Sequence, residues 1–246
     1  MKISEELQAL YGSYYRGDVA TKRAIAARQT ISHILELLPQ RPYASLIDVG
    51  AGEGAVLAEL ETHGVARELH ALEISSSGIE AIRKRGLSSL RSVRSFDGYQ
   101  IDTEGSVHSV AIAVHVLEHV EHERAFIKAL LDAAELIYLE VPLELTANVD
   151  RSIRTSGPFG HINFYTVETF RNLLRTSGAD VVALRLFPNS LAYERFTSGQ
   201  LKGTLKHVVR SQLLALSPRF AARHMTYLAG AVVRKAPSSR VGELRV

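Results

Sequence analysis

Residues 45–55 read Ser45-Leu-Ile-Asp48-Val-Gly50-Ala-Gly52-Glu-Gly54-Ala55. A short apolar run gives way to three glycines at alternate positions, and Val56, Leu57 and Leu60 then follow at helical spacing. The pattern is that of a buried strand turning sharply into a helix. Glycine accepts backbone angles that a Cβ would forbid, and it lets a ligand approach the main chain closely. The same alternation continues toward the C-terminus. Leu69–Glu73 reads as a strand, Ile79–Arg85 as a helix and Val93–Phe96 as a third strand. Val107–His115 is a β-rich run, Glu121–Glu135 a helix, and Leu136–Val141 a fifth strand expected to stop at Pro142. Val167–Ser177 is a helix ending at Gly178, and Val181–Phe187 and Tyr227–Arg234 supply the last two strands. Toward the N-terminus, Ile25, Ile31, Ile34, Leu35 and Leu38 share one helical face.

Strands alternating with helices predict an α/β, Rossmann-like fold: a seven-stranded, mostly parallel sheet with helices on both faces. A helical insertion is expected between strands six and seven. The chain divides into an N-terminal helical cap (1–40), a nucleoside-binding core (41–187), an insertion plus the last strand (188–234) and a flexible tail (235–246). The apolar fraction of 46% is that of a packed globular protein. A net charge of +3 is too small to demand a nucleic-acid partner. The absence of cysteine excludes disulfides, thiolate metal ligands and cysteine nucleophiles, and it fits a cytoplasmic setting. Met1–Leu7 lacks the apolar core of a secretory signal, and no apolar run approaches the roughly 20 residues of a membrane span.

The glycine turn alone does not choose a ligand, because Gly50, Gly52 and Ala55 also satisfy the dinucleotide pattern G-x-G-x-x-G/A. Three carboxylates narrow the choice. Asp48 lies beside the turn, where an anion suits a cationic methionyl group and would repel a pyrophosphate. Glu73 ends the second strand, where a carboxylate can accept from ribose hydroxyls, and Asp97, before Gly98, ends the third. Each acid alone reads as a surface residue, whereas three at successive strand ends mark the edge at which such sheets bind ligands.

With Val114-His-Val-Leu-Glu-His-Val120 and Gly160-His-Ile-Asn-Phe-Tyr165, these motifs resemble the class I S-adenosylmethionine (SAM)-dependent methyltransferases of the type 11/23 kind. The resemblance implies SAM as cofactor. It assigns the cofactor side to Asp48, Gly50, Ala51, Gly52, Gly54, Glu73, Ile74, Asp97, Gly98 and His115. Tyr15, in the aromatic cluster Tyr11–Arg16, is expected to fold over the cofactor. The chain departs from the family pattern at Val107-His108, where an aromatic-Asp pair is usual.

On the acceptor side, His115-Val-Leu-Glu118-His119 formally matches the H-x-x-E-H zinc-peptidase signature. That motif needs a continuous helix, and His115 instead closes a strand-like run. Some ubiquinone-pathway O-methyltransferases, similar here, hold a divalent metal with residues at these positions, yet none is expected to be required. His119 and His161 are the candidate bases for a hydroxyl or amine acceptor. Glu144, flanking Pro142 at the end of the fifth strand, is a third catalytic candidate, with Glu140, Asn163 and Tyr165 as candidate acceptor contacts.

From Arg195 to Arg223 there are six Lys or Arg residues and no Asp or Glu. Leu201, Leu205, Val208 and Val209 share one helical face; Lys202, Lys206 and Arg210 share another. A solvated face is the plain explanation. The sharper one makes Lys202 and Lys206 contacts for an anionic or lipid-linked acceptor. The segments around Glu140–Glu144 and Gly160–Tyr165 also resemble methyltransferases of surface-polysaccharide clusters, which points to O-methylation of a small molecule or a sugar/glycan. The rivals are a non-catalytic SAM-binding regulatory subunit and an NAD(P)-dependent oxidoreductase. Oligomeric state is not legible.

Overall fold

The computed structural model describes residues 19–38, 41–103, 105–155 and 160–237. Its strands are β1 (Tyr43–Val49), β2 (Ala66–Glu73), β3 (Leu90–Ser95), β4 (His108–Val114), β5 (Ala134–Leu143), β6 (Ala179–Phe187) and β7 (Tyr227–Lys235). They form one seven-stranded sheet in the order β3-β2-β1-β4-β5-β7-β6. Neighbours are parallel except at β7, which runs antiparallel to both β5 and β6. The mostly parallel α/β sheet read from the sequence is the one observed. Among the described residues the helices are α1 (Val19–Leu37), α2 (Ala55–Thr62), α3 (Ser76–Lys84), α4 (Glu123–Ala133), α5 (Val149–Thr155), α6 (Val167–Thr176), α7 (Leu191–Ser198), α8 (Gln200–Leu216) and α9 (Pro218–His224). A 3-10 turn spans Leu117–His119.

Strand alternation sorts the apolar side chains onto two cores. Ile47, Val49, Ala111 and Leu139 meet Phe126 and Leu130 of α4 and Phe170 of α6 on one face. Leu46, Val110, Ile112 and Tyr138 meet Ile31 and Ile34 of α1 and Leu57 of α2 on the other. Each such side chain contributes about 1.5–3 kcal/mol when fully buried, so cover on both faces is what holds a parallel sheet.

The structure moves several expected boundaries. The fourth helix ends at Ala133, and β5 begins at once with Ala134 paired to His108. Alanine and glutamate favour helices and carry no stop signal, so pairing with β4 decides the boundary. Pro142 does not end β5: it pairs with Leu228 of β7, and the strand runs on to Leu143. Beyond Glu140 the strand has no β4 neighbour and behaves as an edge there, which is where sheets tolerate proline. Helix α5 has no counterpart in the sequence reading. Lys235 belongs to β7 rather than to a tail, and the insertion is three helices, not one. Tyr15 and the rest of Tyr11–Arg16, like Gly157–Phe159, lie outside the described residues.

Candidate active site

The sheet order reverses between β1 and β4, and open α/β sheets bind ligands in the crevice beyond such a reversal. The β1–α2 turn crosses that crevice. Gly50, Gly52 and Gly54 have φ of 82°, 57° and 76°, left-handed values that side chains resist. At Gly50 space decides as well, because a Cβ would stand 2.5 Å from Val116 Cγ2. The amides of Gly50 and Ala51 donate to Leu72 O at 2.8 and 3.1 Å, tying the turn to β2.

Asp48 is 2% exposed, and its Oδ2 has no hydrogen-bond partner among the described residues. Burial, reinforced by the nearby Glu73 charge, pushes its carboxyl up to about 8. Glu73, also buried, accepts from Gly52 N at 2.8 Å through one oxygen. Its other oxygen accepts from Ser75 N at 2.9 Å and Ser75 Oγ at 2.7 Å. Burial raises the Glu73 pKa, and the Ser75 and Gly52 bonds only partly offset it. Helix α3 packs close against this turn: a Cβ on Gly78 would stand 2.7 Å from Gly52 O. Asp97 is half-buried and accepts from Tyr99 N at 2.9 Å and Gln100 N at 2.7 Å. Burial works to raise its pKa, but those amides prevail and hold it low. Gly98 follows with φ 95°, and Ile74 packs against the core. Three acids at adjacent strand ends, one with a buried oxygen that no donor among the described residues meets, fit a cationic nucleoside better than a pyrophosphate, whose charge they would repel.

Across the crevice His115 follows β4, and its φ of 55° costs a non-glycine residue roughly 1–2 kcal/mol. The ring stands between two carboxylates, with Nδ1 3.2 Å from Glu118 Oε1 and Nε2 3.5 Å from Glu140 Oε1. Burial would lower its pKa, but the two carboxylates prevail and raise it to about 10. Glu118 is fully buried with Oε2 unpartnered among the described residues; burial opposes its charge, and His115 outweighs burial and lowers its pKa. Glu140 is fully buried too. It accepts from Thr30 Oγ1 at 3.0 Å and Tyr138 OH at 2.5 Å, and lies 2.8 Å from His33 Nδ1. Burial resists its ionisation, yet His115 and His33 hold it well below the usual carboxylate range.

His119 and His161 meet edge to face with ring centroids 4.9 Å apart. His161 Nδ1 is 2.6 Å from Glu144 Oε2, a bond that raises the His161 pKa against burial. Burial lowers the His119 pKa, against the pull of Glu118. Two imidazoles pushed in opposite directions are suited to different parts in proton transfer. Glu118, His119 and His161 also offer ligand atoms within 4.8 Å of one another, a set that could hold a metal ion.

The remaining expected acceptor contacts sit differently. Asn163 Nδ2 donates to Leu117 O at 3.1 Å and Val120 O at 2.7 Å. The buried Tyr165 hydroxyl bonds Glu123 Oε1 at 2.5 Å and Leu117 O at 3.1 Å. Through these groups both hold the loop that carries Glu118 and His119, and Glu140 anchors α1. In the insertion Lys206 Nζ is 3.7 Å from Glu194 Oε2, and Arg210 pairs with Glu194 Oε1. Glu194 is buried and stands one residue before the acid-free stretch, so Lys206 and Arg210 of that basic face are paired within the insertion. Lys202 is exposed. Sequence reasoning missed Thr30, His33, Ser75 and Gly78. The first two left a trace as polar residues interrupting the apolar face of α1 beside Ile31 and Ile34.

This fold and crevice define a class. The methyltransferase-domain family model matches residues 21–184, and the chain belongs to that family. It is a SAM-dependent methyltransferase. No curated protein matches the sequence. Among solved structures it is similar to magnesium protoporphyrin IX methyltransferase of Synechocystis PCC 6803, solved with bound S-adenosylhomocysteine (TM-score 0.57, 15% identity, 94% of each chain). It is also similar to a chain from the complex of the Haloferax volcanii Trm112 methyltransferase activator with a methyltransferase (0.64, 13%, 94% of this chain and 99% of that one). A third likeness is the [4+2]-cyclase SpnF (0.61, 16%, 86% and 81%).

Proposed function

We propose that the chain methylates a hydroxyl of a small-molecule or sugar/glycan acceptor. When bound, SAM supplies an electrophilic methyl group on a sulfonium. Asp48 lies where it would face the cationic methionyl part, with Glu73 and Asp97 toward ribose and adenine and the glycine turn between them. Burial already strains the Asp48 charge, so a cationic ligand recovers what desolvation costs.

The observation that carries hydroxyl chemistry is the His119–His161–Glu144 cluster. A hydroxyl must shed its proton as it attacks, and an uncharged imidazole accepts it. His119, whose pKa is lowered by burial, takes that proton on a ring nitrogen. His161, held by Glu144, orients the acceptor oxygen. A carboxylate or thiolate acceptor would need neither group. The experiment is transfer of labelled methyl from SAM to a panel of free, nucleotide-linked and lipid-linked sugars. Turnover on hydroxyl acceptors that falls with His119→Gln supports the reading. Binding of SAM with no turnover on any acceptor supports the regulatory-subunit alternative.

A second reading has its own observation. Glu118 Oε2 is buried without a partner among the described residues and stands with His119 and His161 at metal-ligand spacing. The sulfonium is already activated and needs no Lewis acid, so turnover is expected to survive EDTA. Loss on chelation, restored by Mg²⁺ or Zn²⁺, would make these three residues ligands instead. The absence of cysteine supports a cytoplasmic setting, and among the described residues no helix is long and apolar enough to cross a membrane.

A further inference from the structure

Helix α8 packs Leu213 and Leu214 against the core near its C-terminal end, but before them it turns polar side chains inward. Its inward side carries Gly203, which is buried, together with Lys206, His207 and Arg210. A Cβ on Gly203 would collide with the backbone of Glu194 and Arg195, so α7 and α8 cross there at close range. Lys206 and Arg210 spend their charge on Glu194, and His207 Nδ1 lies 2.9 Å from Asn189 O. Opposite them, at spacings of three and four, run Leu201, Leu205, Val208, Gln212 and Leu216. Leu201 is 89% exposed, Leu205 65% and Leu216 80%, and Phe196 of α7 and Phe220 of α9 are about half exposed. A 17-residue helix is about 25 Å long, so the stripe runs along one side of it, apolar at every position but Gln212, rather than as a scatter of single residues.

We propose that the stripe docks on an anionic lipid surface. The charges around it choose that occupant. From Arg195 to Arg223 there is no acid, and Lys202, Arg219 and Arg223 are exposed with no ion pair among the described residues. An apolar stripe bordered by unanswered cations is what an anionic bilayer interface receives: aliphatic side chains enter the acyl boundary, and the cations meet phosphates. A second copy would set these cations against their own like, with no acid in the segment to answer them. Docking would also orient the enzyme. Ala147 N donates to Arg223 O at 3.0 Å, so α9 adjoins the loop after Glu144 and the acceptor side would lie toward the membrane. The proposal stands independently of which acceptor atom is methylated.

The test is co-sedimentation of the full chain with phosphatidylcholine vesicles, with and without phosphatidylglycerol. Binding is expected only with phosphatidylglycerol and should weaken as salt rises, since screening shortens to about 10 Å at 0.1 M. The triple variant Leu201→Ser, Leu205→Ser, Val208→Ser should bind vesicles at least about tenfold more weakly through lost apolar burial. Arg219→Glu with Arg223→Glu should lose both binding and salt dependence. All should keep SAM affinity, which reports folding. The natural chain has no tryptophan, so Leu205→Trp gives a single reporter expected to shift blue and be quenched by brominated lipid. Absence of vesicle binding by the natural chain, or binding unchanged in the triple variant, would overturn the proposal. So would a dimer that ignores vesicles and falls to monomer in the triple variant.

Discussion

Asp48 carries the sharpest expectation at the scale of single residues. Its folded-state pKa is raised, so keeping it ionised destabilises the ligand-free protein progressively as pH rises from 3.8 toward about 8. Asp48→Asn should therefore melt no lower than the natural chain at pH 8, while SAM affinity falls by about 1–3 kcal/mol. The two readouts, calorimetric melting and titration, must move apart; a variant that both melts lower and binds normally would deny Asp48 this place. In the natural chain SAM affinity should climb with pH up to about 8, as the carboxylate becomes available without cost. Gly50→Ala meets Val116 and a left-handed backbone at once, so it should lose binding outright. His119→Gln should lower kcat by about 10²–10⁴-fold and leave the SAM Kd unchanged. Because burial lowers the His119 pKa from 6.5, the acid limb of kcat should lie below pH 6.5. A limb above that pH would assign the proton to another group.

Among the elements, α1 is held to the strand ends by Thr30 and His33 on Glu140, with His33 stacked 3.9 Å from Phe187. Removing one partner of a buried charge costs about 3–5 kcal/mol, and His33→Ala should lower stability by that order. The pH window follows from the signs. The lowered Glu140 pKa gives a contribution present above 4.5 and lost as pH falls below it. The raised His115 pKa gives one fully present below 6.5 and lost as pH rises toward 10. His115 is 40% exposed, so solvent screens part of its share. The difference in melting temperature between the natural chain and Glu140→Gln should thus peak between pH 4.5 and 6.5; a difference flat across pH 4–10 would show that these charges do not set it. The sequence showed the strands, the glycine turn and the strand-end acids because their signals are local. It hid this clamp because Thr30 and Glu140 lie 110 residues apart. It also misdirected the α8 basic face, since the answering acid, Glu194, stands just outside the basic run. Pro142 misled for a related reason: only the sheet order shows that β5 is an edge at that point.

For the whole molecule, fold alone does not settle the reaction, since a [4+2]-cyclase shares it. What separates a SAM site from a dinucleotide site on this sheet is charge: Asp48, Glu73 and Asp97 rim the crevice beyond β1, β2 and β3. Beyond the sheet's other half, His119, Glu144 and His161 come from the ends of β4 and β5 and from the loop before α6, which on the proposed reading sets the acceptor across the β1–β4 reversal from the cofactor. The strand-end placement of these groups was legible from strand order and motif position, whereas the bonds of Asn163 Nδ2, the Tyr165 hydroxyl and Glu140 to distant partners were not. The most direct test is isothermal titration of the full chain with SAM and, separately, with NAD. Binding of SAM, weakened in Asp97→Ala by about 1–3 kcal/mol, with no heat from NAD, is the expected result. Binding of NAD without SAM would contradict it.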